Sequence, residues 1–291
     1  MPAGPANPIE NVSDTARWVA WYRATESERR DAHFRDPFAR RLAGEQGEAI
    51  VRSLPNGRRM GWAMVVRTVL LDEMLTRLVE HERADAVLNL AAGLDARPWR
   101  MKLPASLQWY DVDLPGILEV KRRVLANEPP HCRLETSAVD LADGRARRAL
   151  LAEVGRAHER VVVMTEGLLV YLAPEQVESL GRDVHAQRSF RWWLMDLGSP
   201  ELLQYLERTW APLLRSAKAP FRFAPREGTA FFAPLGWREA EFRSTWDESF
   251  RLRRTIPMGW FWRLLGKLAP PSRQEEVRRF SGVVRLVRAD D

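Results

Sequence analysis

Ala86-Val87-Leu88-Asn89-Leu90-Ala91-Ala92-Gly93-Leu94-Asp95 is the stretch that decides the fold. Its first five residues are almost continuously apolar, which suits a strand covered on both faces better than one with a solvated side. The small residues that follow let the chain turn tightly and let its backbone approach a ligand, and a helix starting there would turn its positive end toward that ligand. A single glycine falls far short of a dinucleotide fingerprint. The turn therefore takes its meaning from what lies around it.

Downstream, the same pattern recurs. Short apolar runs occupy residues 107–112, 133–139, 161–165 and 191–196, each followed by helix-like sequence. The strand starts are 21, 26, 28 and 30 residues apart, the spacing that βα units of a parallel sheet require. Residues 282–287 are β-rich and could add a last strand. Upstream, the first 80 or so residues show helical periodicity and no strand. A proline-containing leader over residues 1–10 precedes a helix capped by Ser13 or Asp14 that runs to about Thr25. Asp36-Pro37 caps a second helix, with Gly44 as its stop, and a third runs from Met60 to Glu80 with Asp72 and Glu73 facing away from its apolar stripe. The fold class is α/β: a Rossmann-like doubly wound sheet over residues 84–291 behind a helical cover over residues 1–83. Residues 200–226 and 257–270, rich in Trp, Leu and Phe, read as a cap over the ligand edge, inserted in the main near residues 200–228.

Composition narrows the class. The chain has 291 residues, 45% hydrophobic and 29% charged, and no run of 18 consecutive apolar residues. Without a basic, apolar leader it is expected to be cytoplasmic, with no membrane partner. The lone Cys132 excludes an internal disulfide framework and a cysteine zinc site, and no metal site is expected. The net charge of +6 invites a nucleic-acid partner, but 41 of the 45 basic residues are arginines scattered among Glu and Asp, so such a partner is not expected.

Ligands of a doubly wound sheet sit at the carboxyl ends of its strands. Asp113, at the second tip, lies 20 residues after Gly93, where nucleotide-binding sheets place a carboxylate on ribose hydroxyls. Asp140 at the third tip could accept from an adenine amino group, or cap a helix, with Leu141 offering a backbone contact and an apolar flank. Glu166 follows the fourth strand in so apolar a setting that a cationic partner is expected. Arg67 has Ala63, Met64, Leu70 and Leu71 as its helical neighbours. Its anion is either Glu166 or the carboxylate of an amino-acid-like ligand, which a guanidinium grips with two bonds. Such acids and a core-facing arginine fit an adenosine, a ribose, an amino group and a carboxylate, and S-adenosylmethionine carries all four.

At these residues the chain resembles the leucine carboxyl methyltransferase family, including its bacterial branch of O-methyltransferases for polyketides and other small molecules. The resemblance is carried by Asp14-Thr15-Ala16-Arg17-Trp18-Val19-Ala20, Arg35-Asp36-Pro37-Phe38-Ala39, Leu88 through Arg97, Asp111-Val112-Asp113-Leu114-Pro115 and Thr165 through Leu172, spanning roughly residues 13–175. It implies a class I methyltransferase fold with S-adenosylmethionine as cofactor. By the same resemblance Arg67 takes the methionine carboxylate, Asp113 the ribose, Asp140 with Leu141 the adenine, and Glu166 the amino end. Arg17, Ala91 and Gly93 complete the cofactor site, and Tyr171 is the candidate for positioning the acceptor. Ala91 stands where the family's Leu-Gly-Ala-Gly motif has its first glycine.

The expected reaction is in-line displacement at the sulfonium methyl, accelerated by proximity. A carboxylate acceptor is ionised at pH 7 and needs no base, in keeping with the absence of an evident catalytic dyad, His33, His81, His131, His158 and His185 all reading as surface. The expected substrate is a small-molecule carboxylic acid or polyketide. A phenol or hydroxyl acceptor, a protein C-terminus, a modified tRNA base, a nicotinamide oxidoreductase and a module without catalysis remain alternatives. Trp210, Trp237, Trp246, Trp260 and Trp262 either line a pocket or pack as core and lid.

Overall fold

The structure, a computed structural model, describes residues 14–216 and 220–290. The expected leader and the Ser13 cap lie outside them. Three helices come first: α1 (Thr15–Ser27), α2 (Ala39–Ser53) and α3 (Gly57–Glu80). Asp36 caps the turn into α2 by accepting the Phe38 N–H at 3.1 Å. The expected stop at Gly44 proves to be a kink. Gly44 adopts φ +59°, and the helix resumes because Ile50 and Val51 still have a core to enter, packed with Trp18, Trp21 and Tyr22 of α1. The α3 stripe of Val66, Leu70, Met74 and Leu78 lies against one face of the sheet.

Seven strands form one sheet among the described residues: β1 (Ala86–Leu90), β2 (Gln108–Asp113), β3 (Arg133–Ala138), β4 (Val161–Thr165), β5 (Phe190–Gly198), β6 (Trp237–Ser244) and β7 (Ser281–Arg288). Their order is β3-β2-β1-β4-β5-β7-β6. The first five are parallel, and β7 enters antiparallel between β5 and β6. Helices α4 (Arg97–Arg100), α5 (Pro115–Val124), α6 (Gly144–Ala157) and α7 (Pro174–His185) connect the parallel strands. The central strands β1 and β4 are buried at every position. Ala86, Leu88, Leu90, Val161 and Val163 enter one core, while Val87, Val162 and Met164 enter the other. This two-sided burial is why both strands read as unbroken apolar runs.

Between β1 and β4 the order reverses, since β2 lies to one side of β1 and β4 to the other. Helices leave in opposite directions there and open a crevice at the strand tips. Helix α8 (Pro200–Ser216) borders that crevice through Leu202, Leu203, Tyr205, Leu206 and Trp210. The rest of the chain forms α9 (Thr245–Arg251), α10 (Gly259–Gly266) and α11 (Pro271–Arg278). The second cap segment, residues 257–270, contributes no cavity-lining residue. Its α10 turns Gly259 toward Thr255 and Phe250 and stands at the surface.

Candidate active site

The turn after β1 is held in the left-handed region at two places, Ala91 (φ +57°) and Gly93 (φ +48°). Glycine is required at 93 on two counts. An L side chain is strained at that φ, and a Cβ there would sit 3.1 Å from the Ala16 methyl of α1. The close approach frees the Gly93 N–H to donate to Asp113 Oδ2 at 2.7 Å, while the Leu114 N–H donates to Asp113 Oδ1 at 2.7 Å. Burial pushes the Asp113 carboxyl above its ordinary value, and these two N–H groups oppose the rise. Each carboxylate oxygen keeps a second lone-pair direction for a hydroxyl donor. Asp113 is thus aimed by the turn itself.

Beside it, the tips of β1, β4 and β5 carry an ion-pair cluster. Arg67 donates from Nε to Glu166 Oε1 and from Nη1 to Asp196 Oδ2, both at 3.1 Å. Arg97, 2% exposed, donates from Nε to Asp72 at 2.7 Å and from Nη1 to Asp95 at 2.8 Å and Glu166 at 2.7 Å. Arg100 closes on Asp72 with two bonds of 2.6 and 2.8 Å. Burial alone would raise Glu166 and Asp95, but the neighbouring guanidiniums hold both below the usual carboxylate range. Four carboxylates (Asp72, Asp95, Glu166, Asp196) face three guanidiniums, so the cluster keeps an excess negative charge. A cationic ligand is favoured beside it. Of the two anions expected for Arg67, Glu166 is in contact with it, and Asp196 is a further partner. Gly167 (φ +65°) lets Arg67 cross the backbone, since a Cβ there would lie 3.3 Å from Nη1.

A cavity of about 870 Å³ opens on this cluster. It is lined by Arg67, Ala91, Gly93, Asp113, Asp140, Leu141, Glu166 and Tyr171, which brings together eight of the nine residues expected from sequence. Arg17 is the exception. The α1 positions on the cavity wall are Thr15, Ala16, Trp18, Val19, Tyr22 and Arg23. At about 100° per residue this leaves Arg17 on the opposite side of the helix, where it faces Asp14 at 3.8 Å. The basic residue α1 does send inward is Arg23, tied to Asp36 at 2.9 Å. Asp140 is not the cap of α6. Asp143 has that role, accepting from the Arg145 and Ala146 N–H groups, and Asp140 stays exposed at the cavity rim.

Asp72, Asp95, Arg97 and Asp196 belong to this cluster, and the sequence pointed to none of them as site residues. Asp72 was read as facing away from the core, yet it accepts from two arginines. Asp196 ends the strand predicted over 191–196, so the same strand-tip logic would have found it. It also accepts the Gly167 N–H at 2.6 Å.

The far wall is apolar, built from Trp18, Trp62, Leu203, Leu206, Phe221 and Trp210 among others. Of the aromatic candidates, Trp210 and Trp246 line the cavity, Trp237 is core on β6, and Trp260 and Trp262 are on the surface. Tyr171 sits in a 3₁₀ turn (Leu169–Tyr171), its ring 5.5 Å from Phe221. Burial raises its phenol above the ordinary value, against a hydrogen bond with Thr15. No histidine lines the cavity among the described residues, and no cluster there could hold a metal ion.

Sheet order, antiparallel seventh strand and acids at the crevice together define a class I methyltransferase fold. The sequence model of the family described as leucine carboxyl methyltransferase matches residues 16–185. A protein of Parafrankia sp. (strain EAN1pec), named as an S-adenosyl-L-methionine-dependent methyltransferase, is 34% identical over 84% of this chain and 83% of its own. A similarly named protein of Streptomyces avermitilis is 31% identical over 94% of each. The crystal structure of a DUF574 family protein from Streptomyces avermitilis superposes with TM-score 0.58 at 14% identity, covering 94% of this chain and 97% of that one, which bears on the fold alone. The chain belongs to the leucine carboxyl methyltransferase family.

Proposed function

We propose that this chain is an S-adenosylmethionine-dependent O-methyltransferase that esterifies the carboxylate of a small molecule with a bulky apolar body. The observation that carries the reading is the division of one cavity into an acidic wall and an apolar wall that lacks histidine, lysine and cysteine among its described residues. Five acids (Asp95, Asp113, Asp140, Glu166, Asp196) and three arginines (Arg23, Arg67, Arg222) line it, an excess suited to a donor carrying a sulfonium and an ammonium group.

S-adenosylmethionine supplies, when bound, an electrophilic methyl group on a sulfonium. Asp113 accepts from its ribose hydroxyls, Asp140 takes the adenine amino group at the rim, and Glu166 with Asp196 faces the ammonium end. Arg67, its Nε and Nη1 already engaged, offers Nη2 to the donor's carboxylate. Tyr171, within electrostatic reach of Arg67 and Asp196, is held neutral by burial, so it donates a hydrogen bond to the acceptor and does not deprotonate it. A carboxylate arrives already ionised, and proximity and alignment do the rest. Arg222 lines the cavity and is exposed with no acidic partner among the described residues, so it can dock that carboxylate on entry.

The test is turnover with S-adenosylmethionine on a panel of apolar carboxylic acids and matched phenols, read by mass spectrometry. The expected product is one methylene heavier than its acid and returns to it in mild alkali, as an ester does. An alkali-stable methyl ether formed from the phenols alone would transfer the assignment to hydroxyl methylation.

A further inference from the structure

Helix α10, Gly259-Trp260-Phe261-Trp262-Arg263-Leu264-Leu265-Gly266, is oriented the reverse way from a surface helix of a globular protein. The ordinary arrangement turns the apolar stripe inward and the charges outward. Here Gly259 is the buried residue, contacting Thr255 and Phe250, so the glycine side faces the body, and Arg263, itself exposed, stacks on the edge of that contact with its guanidinium 4.7 Å from the Phe250 ring. Outward go Trp260 (67% exposed), Trp262 (55%) and Leu264 (57%), flanked by Met258 (60%) before the helix and Leu268 (81%) after it. At about 100° per residue these side chains with Phe261 and Leu265 sweep over half the circumference, and Arg263 and Lys267 share the remainder. Val277 of α11 and Phe280 just after it are also exposed, and both line the cavity.

We infer that α10 is a docking helix for an anionic membrane surface. A convex ridge, apolar over so wide an arc, matches a medium that closes around it, whereas a partner protein of ordinary shape would cover one side. Two tryptophans and several leucines opposite Arg263 and Lys267 are the composition of a helix lying at the headgroup boundary. Neither cation forms an ion pair among the described residues, and the chain as a whole carries +6, so both the local and the global charge complement acidic headgroups. The same charge opposes the alternative of a second copy, because a two-fold contact sets each patch against itself and brings the two sets of cations together. No described helix is long and apolar enough to cross a membrane, so the contact is with one leaflet. The expectation of no membrane partner rested on the absence of a spanning run and of a basic, apolar leader, neither of which bears on a helix lying at the surface.

The experiment is co-sedimentation of the full chain with vesicles of phosphatidylcholine alone or with about 30 mol% phosphatidylglycerol. The wild type is expected to partition onto the phosphatidylglycerol vesicles, with binding cut about tenfold or more in about 0.5 M NaCl. The Trp260→Ser/Trp262→Ser/Leu268→Ser variant, all at exposed positions away from the cavity, is expected to lose at least about tenfold in partitioning. Its circular dichroism and its S-adenosylmethionine binding should match the wild type. No wild-type binding to either vesicle overturns the inference, as does equal binding by the variant. A wild-type dimer in sedimentation velocity that the variant dissociates, with no vesicle binding by either, assigns the patch to a second copy and overturns it too.

Discussion

Replacing Ala91 by glycine should stabilise the protein, although glycine usually does the opposite. Ala91 holds φ +57°, a conformation that costs an L residue about 1–2 kcal/mol. Glycine escapes that strain but gives up about 0.5–1 kcal/mol through its freer unfolded chain. The balance favours Ala91→Gly by about 0.5–1 kcal/mol, which in a domain of this size is a rise in Tm of about 1–3 °C. Gly93→Ala, two residues on, must go the other way, since φ is +48° and the new methyl would press within 3.1 Å of Ala16. It should lower Tm by several degrees and, by displacing the N–H that holds Asp113, weaken the cofactor. Differential scanning calorimetry of both variants reads the pair. A fall in Tm for Ala91→Gly, or no change for Gly93→Ala, would show that the turn does not have this geometry.

Acidification should remove ligand binding before it removes the fold. Asp113 has its pKa raised by burial, so its ionised form is lost first as pH falls. Glu166 and Asp95 have depressed values, and the stability they confer, present above their unfolded pKa, persists until pH falls through the lower folded one. Calorimetric titration alongside thermal melts from neutral pH downward would contradict this if both were lost together. Arg97→Met, which strips a cation shared by Asp72, Asp95 and Glu166, should cost about 3–5 kcal/mol of stability by urea unfolding. Arg67→Met leaves Glu166 with Arg97 and Asp196 with the Gly167 N–H, so it should cost a smaller ~1–3 kcal/mol and act mainly on cofactor affinity. An equal loss of stability in the two variants would make Arg67 a structural residue.

The centre of the parallel half was legible in the sequence because β1 and β4 are covered on both faces and so read as apolar runs with a polar tip, whereas the edge strand β3, largely exposed, was placed by its spacing. β6 was not. Its Arg238, Glu239, Glu241 and Arg243 are the charges of an edge strand, and the register shift between Glu239 and Glu241 breaks the alternation that would have revealed it. Asp113 and Glu166 could be found because tip position and spacing are properties of a linear string. Asp196, at the tip of the predicted fifth strand, was open to the same logic, whereas Asp72 enters the cluster by a contact with Arg97, 25 positions away, which no local window contains. Arg17 was misplaced for a related reason: a matching segment preserves residue identity, and only the helix phase shows which side it presents. The apolar segment 257–270 likewise read as a cap, because composition does not say that Gly259, not the tryptophans, faces the body.

The central claim is that the acids at the strand tips form a site for a sulfonium nucleoside. Isothermal titration of S-adenosylmethionine, S-adenosylhomocysteine and NAD into the wild type and Asp113→Ala tests it most directly. The expected result is one-to-one binding of the first two, absence of binding by NAD, and a loss in Asp113→Ala of about 1.5–3 kcal/mol, or roughly tenfold to a hundredfold in Kd. Binding of NAD in place of the two sulfur nucleosides, or an unchanged Kd in the variant, would contradict it.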